Sequence, residues 1–238
     1  MMTKRSRLLS YSLLIILLYG ALRALVYDSM KNNSFDDWVA RDSVMDIPRT
    51  LCFVLTLYIC KRHLSWAELG VHWQGKWGAF FLLVAFSLIS LKSRSFQFFT
   101  GDIGDSQIAM LIISSFVVGF FEEFLFRGLA YIALSKQYSP TAAIWISSLI
   151  FMIYHVQAQP YYHFPELFAY GLVYAGARSI GISIVWLSLL HGIDDSLVLL
   201  LARPYPGFNM AYYEKIFYLV VVFLLLLASR KRKRTHLT

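Results

Sequence analysis

Residues 108–134 read IAMLIISSFVVGFFEEFLFRGLAYIAL, and the fold turns on what this stretch can be. It is long and apolar enough for a membrane span, which needs roughly 20 mostly apolar residues. Its only charged residues are Glu122, Glu123 and Arg127. An ionised side chain near a bilayer centre costs from about 3 to more than 10 kcal/mol. Two neighbouring carboxylates also repel each other when both are ionised. The default reading of such residues is a functional site inside the membrane.

The rest of the chain is of the same kind. Of 238 residues, 58% are hydrophobic and 15% charged, and the mean hydropathy is +0.57. A soluble domain is normally about half apolar and a quarter charged. Long apolar runs recur throughout and leave no room for a soluble domain. The composition predicts an all-α polytopic transmembrane bundle, with residues 1–238 forming one integral-membrane domain.

The runs predict eight spans, near 8–27, 44–60, 77–92, 107–132, 140–158, 164–179, 182–202 and 214–229. The first follows Lys4, Arg5 and Arg7 and lacks a small-x-small cleavage site, so it reads as a retained anchor. Pro140 has the fixed φ suited to a helix start. A polar segment with Asp28, Asp36, Asp37, Asp42 and Asp46 separates the first two spans.

Orientation follows from the basic residues. With both termini cytoplasmic, the inside holds Lys4, Arg5, Arg7, Lys61, Arg62, Lys76, Lys136, Arg178 and the run RKRKR at 230–234. The outside holds Lys31, Arg41, Lys92, Arg94, Arg203 and Lys215. That excess agrees with the positive-inside rule, and Arg23, Arg49 and Arg127 fall within spans.

A net charge of +8 could suit a nucleic-acid partner. Here most of the basic residues sit at span ends, so no nucleic acid is expected. The terminal run reads as a topology determinant that also attracts anionic lipid. Cys52 and Cys60 share one span eight residues apart, roughly 12 Å along a helix, too far for a disulfide.

Few polar residues lie deep in the spans: Glu122, Glu123, Asp194 and Asp195 among the acids, with His155 and His191. Helical spacing organises them. Glu123 and Arg127, Phe151 and His155, and His191 and Asp195 are each four apart, so each pair shares a helix face. Two chemistries fit a carboxylate and two imidazoles converging in an apolar interior. A glutamate can act as general base on water, with histidine as a second base or electrophile. Alternatively His155, His191, Glu122 and Asp195 are candidate ligands for a divalent metal such as zinc, whose bound water becomes nucleophilic. Both give hydrolysis. Arg127 serves either one by orienting a glutamate.

Structural alternatives stand beside each motif. The Glu–Arg set can be a buried ion pair locking two helices, although one glutamate suffices for that. His155 can simply bond a carbonyl, and His191 with Asp195 can be a structural hydrogen bond. Asp194 points to another side of its helix and reads as a polar neighbour. Tyr154, Tyr161, Tyr162 and His163 read as interfacial anchors.

The motifs Glu122-Glu123-x3-Arg127, Phe151-x3-His155 and His191-x3-Asp195 resemble those of the CAAX-prenyl-protease-2 and bacteriocin-processing (CPBP, or Abi) family of intramembrane proteases. The resemblance covers about residues 65–202, including the leader WAELGVHW. It implies an all-helical intramembrane endopeptidase in which Glu122 and His155 activate water. His191 and Asp195 then steady the oxyanion, and Glu123 and Arg127 support Glu122. The family's third motif ends in Asn or Asp. Asn donates to an oxyanion and an ionised Asp opposes it, so Asp195 is protonated, orients His191, or binds a metal.

The expected substrates are membrane-associated peptides or lipidated proteins, such as a peptide pheromone or bacteriocin leader, in a bacterial cytoplasmic membrane. Two rival classes are a transporter or proton relay and a non-catalytic immunity scaffold. Transporters usually show inverted repeats, and none is visible here. One tension is geometric. His155 falls near the outer end of its span and Glu122 in the inner half of its own, so the two meet only if the helices tilt or the span boundaries differ.

Overall fold

The computed structural model describes residues 4–29, 35–71, 77, 80, 81, 83, 84, 104–156 and 163–201. Every regular element among them is helical. They are α1 Lys4–Ser29, α2 Phe35–His63, α3 Trp66–Leu69, α4 Asp105–Ser135, α5 Pro140–Tyr154, α6 Phe164–Ser179 and α7 Ile184–Leu201. Three helical stretches are long and apolar enough to cross a membrane: Arg7–Val26, Val39–His63 and Asp105–Ser135. Most of the span expected at 77–92, all of the one at 214–229 and the run at 230–234 lie outside the described residues.

The apolar α2 stretch starts earlier than the sequence pattern predicts. It begins at Val39, so Arg41, Asp42 and Asp46 lie in the helix and not in an outer loop. Glu122, Glu123, Asp194 and Asp195 are therefore not the only acids within the apolar helices. The reason is local pairing. Arg49 lies 2.7 Å from Asp42 and 2.8 Å from Asp46, which lowers the penalty for placing all three charges in the bundle. α5 is shorter than expected, ending at Tyr154 with His155 as its C-cap.

Two helix crossings depend on glycine. A Cβ on Gly119 of α4 would meet the backbone Ser188 O and Gly192 N of α7 at 2.7 Å. One on Gly171 of α6 would come within 2.9 Å of the Ser148 side chain of α5. Small residues at such crossings let helix backbones approach closely in a membrane. Gly119 precedes Glu122 by one turn and Gly192 follows His191, so the first crossing carries site residues towards each other.

The connections are equally specific. Ser65 caps α3 through a reciprocal capping box with Glu68. Gly70 at φ 76° and Gly181 at φ 96° end α3 and α6. The bonds Val71 N to Trp66 O and Ile182 N to Ala177 O close each as a Schellman turn. Arg178 donates to the Glu68 carbonyl at 2.8 Å, and Ile184 N donates to the Gly70 carbonyl, which ties α7 to the α3 loop.

Candidate active site

The first two site residues lie where α4 changes its winding. Asp105–Glu122 is α-helical, Glu123–Ala130 is a π-helix, and Tyr131–Ser135 is α-helical again. Tyr131 N bonds Phe126 O, five residues back. Longer π segments are rare, and π-turns concentrate at functional sites. No residue pattern in FLFRGLA announced this one. The segment is fully buried, and Gly128 leaves room for Leu69 and Ile184.

Both glutamates face the same polar layer. Glu122 Oε1 lies 3.7 Å from His155 Nε2, and Oε2 lies 3.9 Å from His191 Nε2. These distances are too long for direct hydrogen bonds. Glu122 Oε2 is buried and has no hydrogen-bond partner among the described residues.

Glu123 is engaged differently. Its Oε1 accepts from Arg127 Nη1 at 2.9 Å and meets His191 Nδ1 at 2.9 Å. Glu123 and Arg127 are 0% and 1% exposed, which no unpaired charge would tolerate in this setting. The guanidinium carbon of Arg127 also sits 4.2 Å from the Phe151 ring centre and 5.4 Å from that of Tyr174. Cation–π attraction adds to its anchoring there.

The end of α5 aims His155, and the middle of α7 carries His191. His155 Nδ1 lies 2.8 Å from the Phe151 carbonyl. A carbonyl only accepts, so Nδ1 carries the hydrogen and a neutral ring presents its Nε2 lone pair to Glu122. His191 uses Nδ1 on Glu123 and turns Nε2 towards Glu122 and Asp195, the latter at 3.6 Å. Asp195 is the most open member, with its side chain 34% exposed.

All seven residues named in the motifs therefore gather in one place. The geometric tension between Glu122 and His155 resolves because α5 stops early and delivers His155 from its end. One expected contact differs. Arg127 anchors Glu123, and Glu123 meets His191 and not Glu122. Among the described residues, no group of three or more His, Cys, Asp or Glu is placed to hold a metal ion.

Sequence reasoning passed over two tyrosines. Tyr170 and Tyr174 are four apart on α6, their rings stacked at 4.8 Å. Their ring centres lie 6.0 and 5.7 Å from that of His191. Tyr170 donates to Asp194, which is buried and not merely a polar neighbour. The four-residue spacing of Tyr170 and Tyr174 was the available signal, but aromatic pairs are common in apolar helices.

Residues 104–197 match the family model described as type II CAAX prenyl endopeptidase Rce1-like. The match covers all three motifs and bears out the resemblance over that segment. The segment is similar to that endopeptidase family, and the three long apolar helices support a membrane protein. No curated protein and no solved structure matches the chain.

Proposed function

We propose that this protein is an intramembrane endopeptidase that hydrolyses a peptide bond with a water activated by Glu122 and His155. The observation that carries the proposal is the buried Glu122 Oε2, which has no hydrogen-bond partner among the described residues, with Oε1 facing His155 Nε2. A fold that needed Glu122 only as a strut would saturate it. A base awaiting water and substrate leaves an oxygen open.

The steps follow from the geometry. Water sits beside Glu122 and His155, and one of them takes a proton as the oxygen attacks the scissile carbonyl. A neutral His155 is suited to this by its Nε2 lone pair. His191, as an imidazolium, keeps Nδ1–H on Glu123 and offers Nε2–H to the developing oxyanion. Glu123, fixed by Arg127, holds the ring at that angle. Asp195, at the open edge, orients His191 in the resting site. When the tetrahedral intermediate collapses, the C–N bond breaks and the proton taken from water passes to the leaving amine.

The substrate class is a peptide, or a lipidated protein, with an apolar part that partitions into the bilayer. The type II CAAX description and the depth of the site in an apolar bundle favour it. The same reading assigns a bundle of about eight spans with both termini cytoplasmic, and a catalytic core over about 65–202. It places the protein in a bacterial cytoplasmic membrane.

Cleavage of a membrane-associated peptide by the purified protein tests the mechanism. Glu122→Gln and His155→Ala should each abolish cleavage while the protein still folds, and retained cleavage by both would sink it. Activity lost to a chelator and restored by zinc would replace the glutamate mechanism with a metal-dependent one.

A further inference from the structure

The segment matched by the family model starts at residue 104, yet a second buried polar group reaches the site from α1 and α2. Arg49 is 6% exposed and sits between Asp42 and Asp46. Ser114 of α4 lies 3.0 Å from Asp42 Oδ2 and 2.9 Å from Asp46 Oδ1. The remaining guanidinium edge points at α1, where Arg49 Nε donates to the Tyr19 hydroxyl at 3.1 Å.

Tyr19 is 1% exposed and connects this group to the glutamate layer. Its ring stacks on Tyr154 with centres 5.6 Å apart and packs against Phe121 at 5.0 Å. Phe121 and Tyr154 are the residues immediately before Glu122 and His155 in the chain. Glu122 belongs to α4 and His155 to the end of α5, so their 3.7 Å separation is a distance between two helices. The Tyr19 ring is the wedge that touches both.

We propose that Tyr19 is a positioning residue for the Glu122–His155 pair, held in register by Arg49. An aliphatic wedge could fill the same space, but it would slide and rotate. A hydroxyl bonded to a guanidinium, itself pinned by two carboxylates, fixes both depth and ring angle. Arginine suits the task because its planar fork is pre-organised and stays charged. The inference also explains why Asp42, Asp46 and Arg49 are kept inside an apolar helix. The ion cluster stabilises a catalytic distance and not only the packing of α1 on α2.

The inference rests on the hydrolase reading, so its test has one arm that reads cleavage and one that does not. Tyr19→Phe keeps the ring and removes only the bond to Arg49. Arg49→Lys keeps the charge beside Asp42 and Asp46 and removes the Nε donor. Each should lower kcat about tenfold with KM within about twofold, since small misplacements of reacting groups cost up to about a hundredfold. The double variant should be no worse than either single one, because both act through one bond.

The second arm measures how fast diethyl pyrocarbonate modifies His155, located by peptide mass mapping. Tyr19→Phe should change that rate at least about threefold. Unchanged kcat and unchanged His155 modification in Tyr19→Phe overturn the inference. Additive losses in the double variant overturn the role of Arg49. If the wild-type protein cleaves nothing, the hydrolase reading fails, and the modification rate alone decides whether Tyr19 positions His155.

Discussion

Two buried polar layers lie in this bundle, and they treat charge in opposite ways. Between α1, α2 and α4, Arg49 is shared among Asp42, Asp46, Ser114 and Tyr19, with contacts from 2.7 to 3.3 Å. Between α4, α5 and α7, Glu122 keeps its nearest imidazoles at 3.7 and 3.9 Å. There, Glu122 Oε2, Glu123 Oε2 and Arg127 Nη2 are buried with no hydrogen-bond partner among the described residues. Desolvation penalises both layers. The first offsets the penalty by saturation, which suits a brace. The second leaves donors and acceptors open, which suits a site that completes itself on water and substrate. The difference separates structural charge from reactive charge more sharply than burial does, since both layers are buried.

The comparison breaks most directly at Glu122. Glu122→Gln should cut the cleavage rate by about 10²- to 10⁴-fold, the range of a general base. Thermal stability in detergent should barely move, because Glu122 Oε2 makes no hydrogen bond among the described residues and its imidazole neighbours stand 3.7 and 3.9 Å away. A large drop in melting temperature would put Glu122 on the structural side.

Arg49→Met tests the other layer. Removing one member of a buried ionic group leaves the others uncompensated and should destabilise the protein by about 3–5 kcal/mol. Denaturant unfolding or the yield of folded protein would show it. A near-neutral result would mean that the carboxylates are solvated or protonated and that the brace is weak.

Gly119→Ala should act between the layers. Its Cβ would press on backbone atoms of α7 at 2.7 Å, and overpacking of this kind costs about 1–3 kcal/mol. Cleavage should fall as α7 carries His191 away from Glu123. Gly20→Ala is the control, with nothing within 4 Å of the added carbon.

The smallest effect belongs outside the bundle. Lys136 lies 2.8 Å from Glu68 and, with the Ser65 bonds, pulls the Glu68 carboxyl down to about 2. The folded pKa is depressed below its ordinary value of 4.5. The pair's contribution is therefore present above about pH 4.5 and fades as pH falls towards 2. Glu68 is largely exposed, so Lys136→Ala should cost no more than about 0.5 kcal/mol at neutral pH, with salt weakening it further. A loss of several kcal/mol would show that the α3 loop is clamped far more tightly than an exposed pair allows.

Several features were legible because they follow from spacing. Four-residue intervals put Glu123 beside Arg127, and Pro140 marked a real helix start. The long apolar runs made helices certain. The place of Asp42 and Asp46 was not legible, because a polar run reads as a loop until the neutralising Arg49 and its partners on other helices are known. The π segment at Glu123–Ala130 was hidden for a related reason: hydrophobic composition does not distinguish winding when every side is buried. Tyr19 was invisible as a site neighbour because it reads as one more aromatic in an apolar span.

By itself, then, the sequence determined that the chain is helical and apolar enough to cross a membrane, and it singled out three motifs as candidates for its chemistry. Those properties depend on composition and on local periodicity, which act over a few residues. The tertiary structure alone decided which partner each charge has. It gave His191 to Glu123, left an oxygen of Glu122 with no hydrogen bond among the described residues, and set Tyr19 between the segments leading to Glu122 and His155. Pairing in an apolar interior is settled by distances of a few tenths of an ångström between helices far apart in sequence. No pattern along the chain encodes those distances locally.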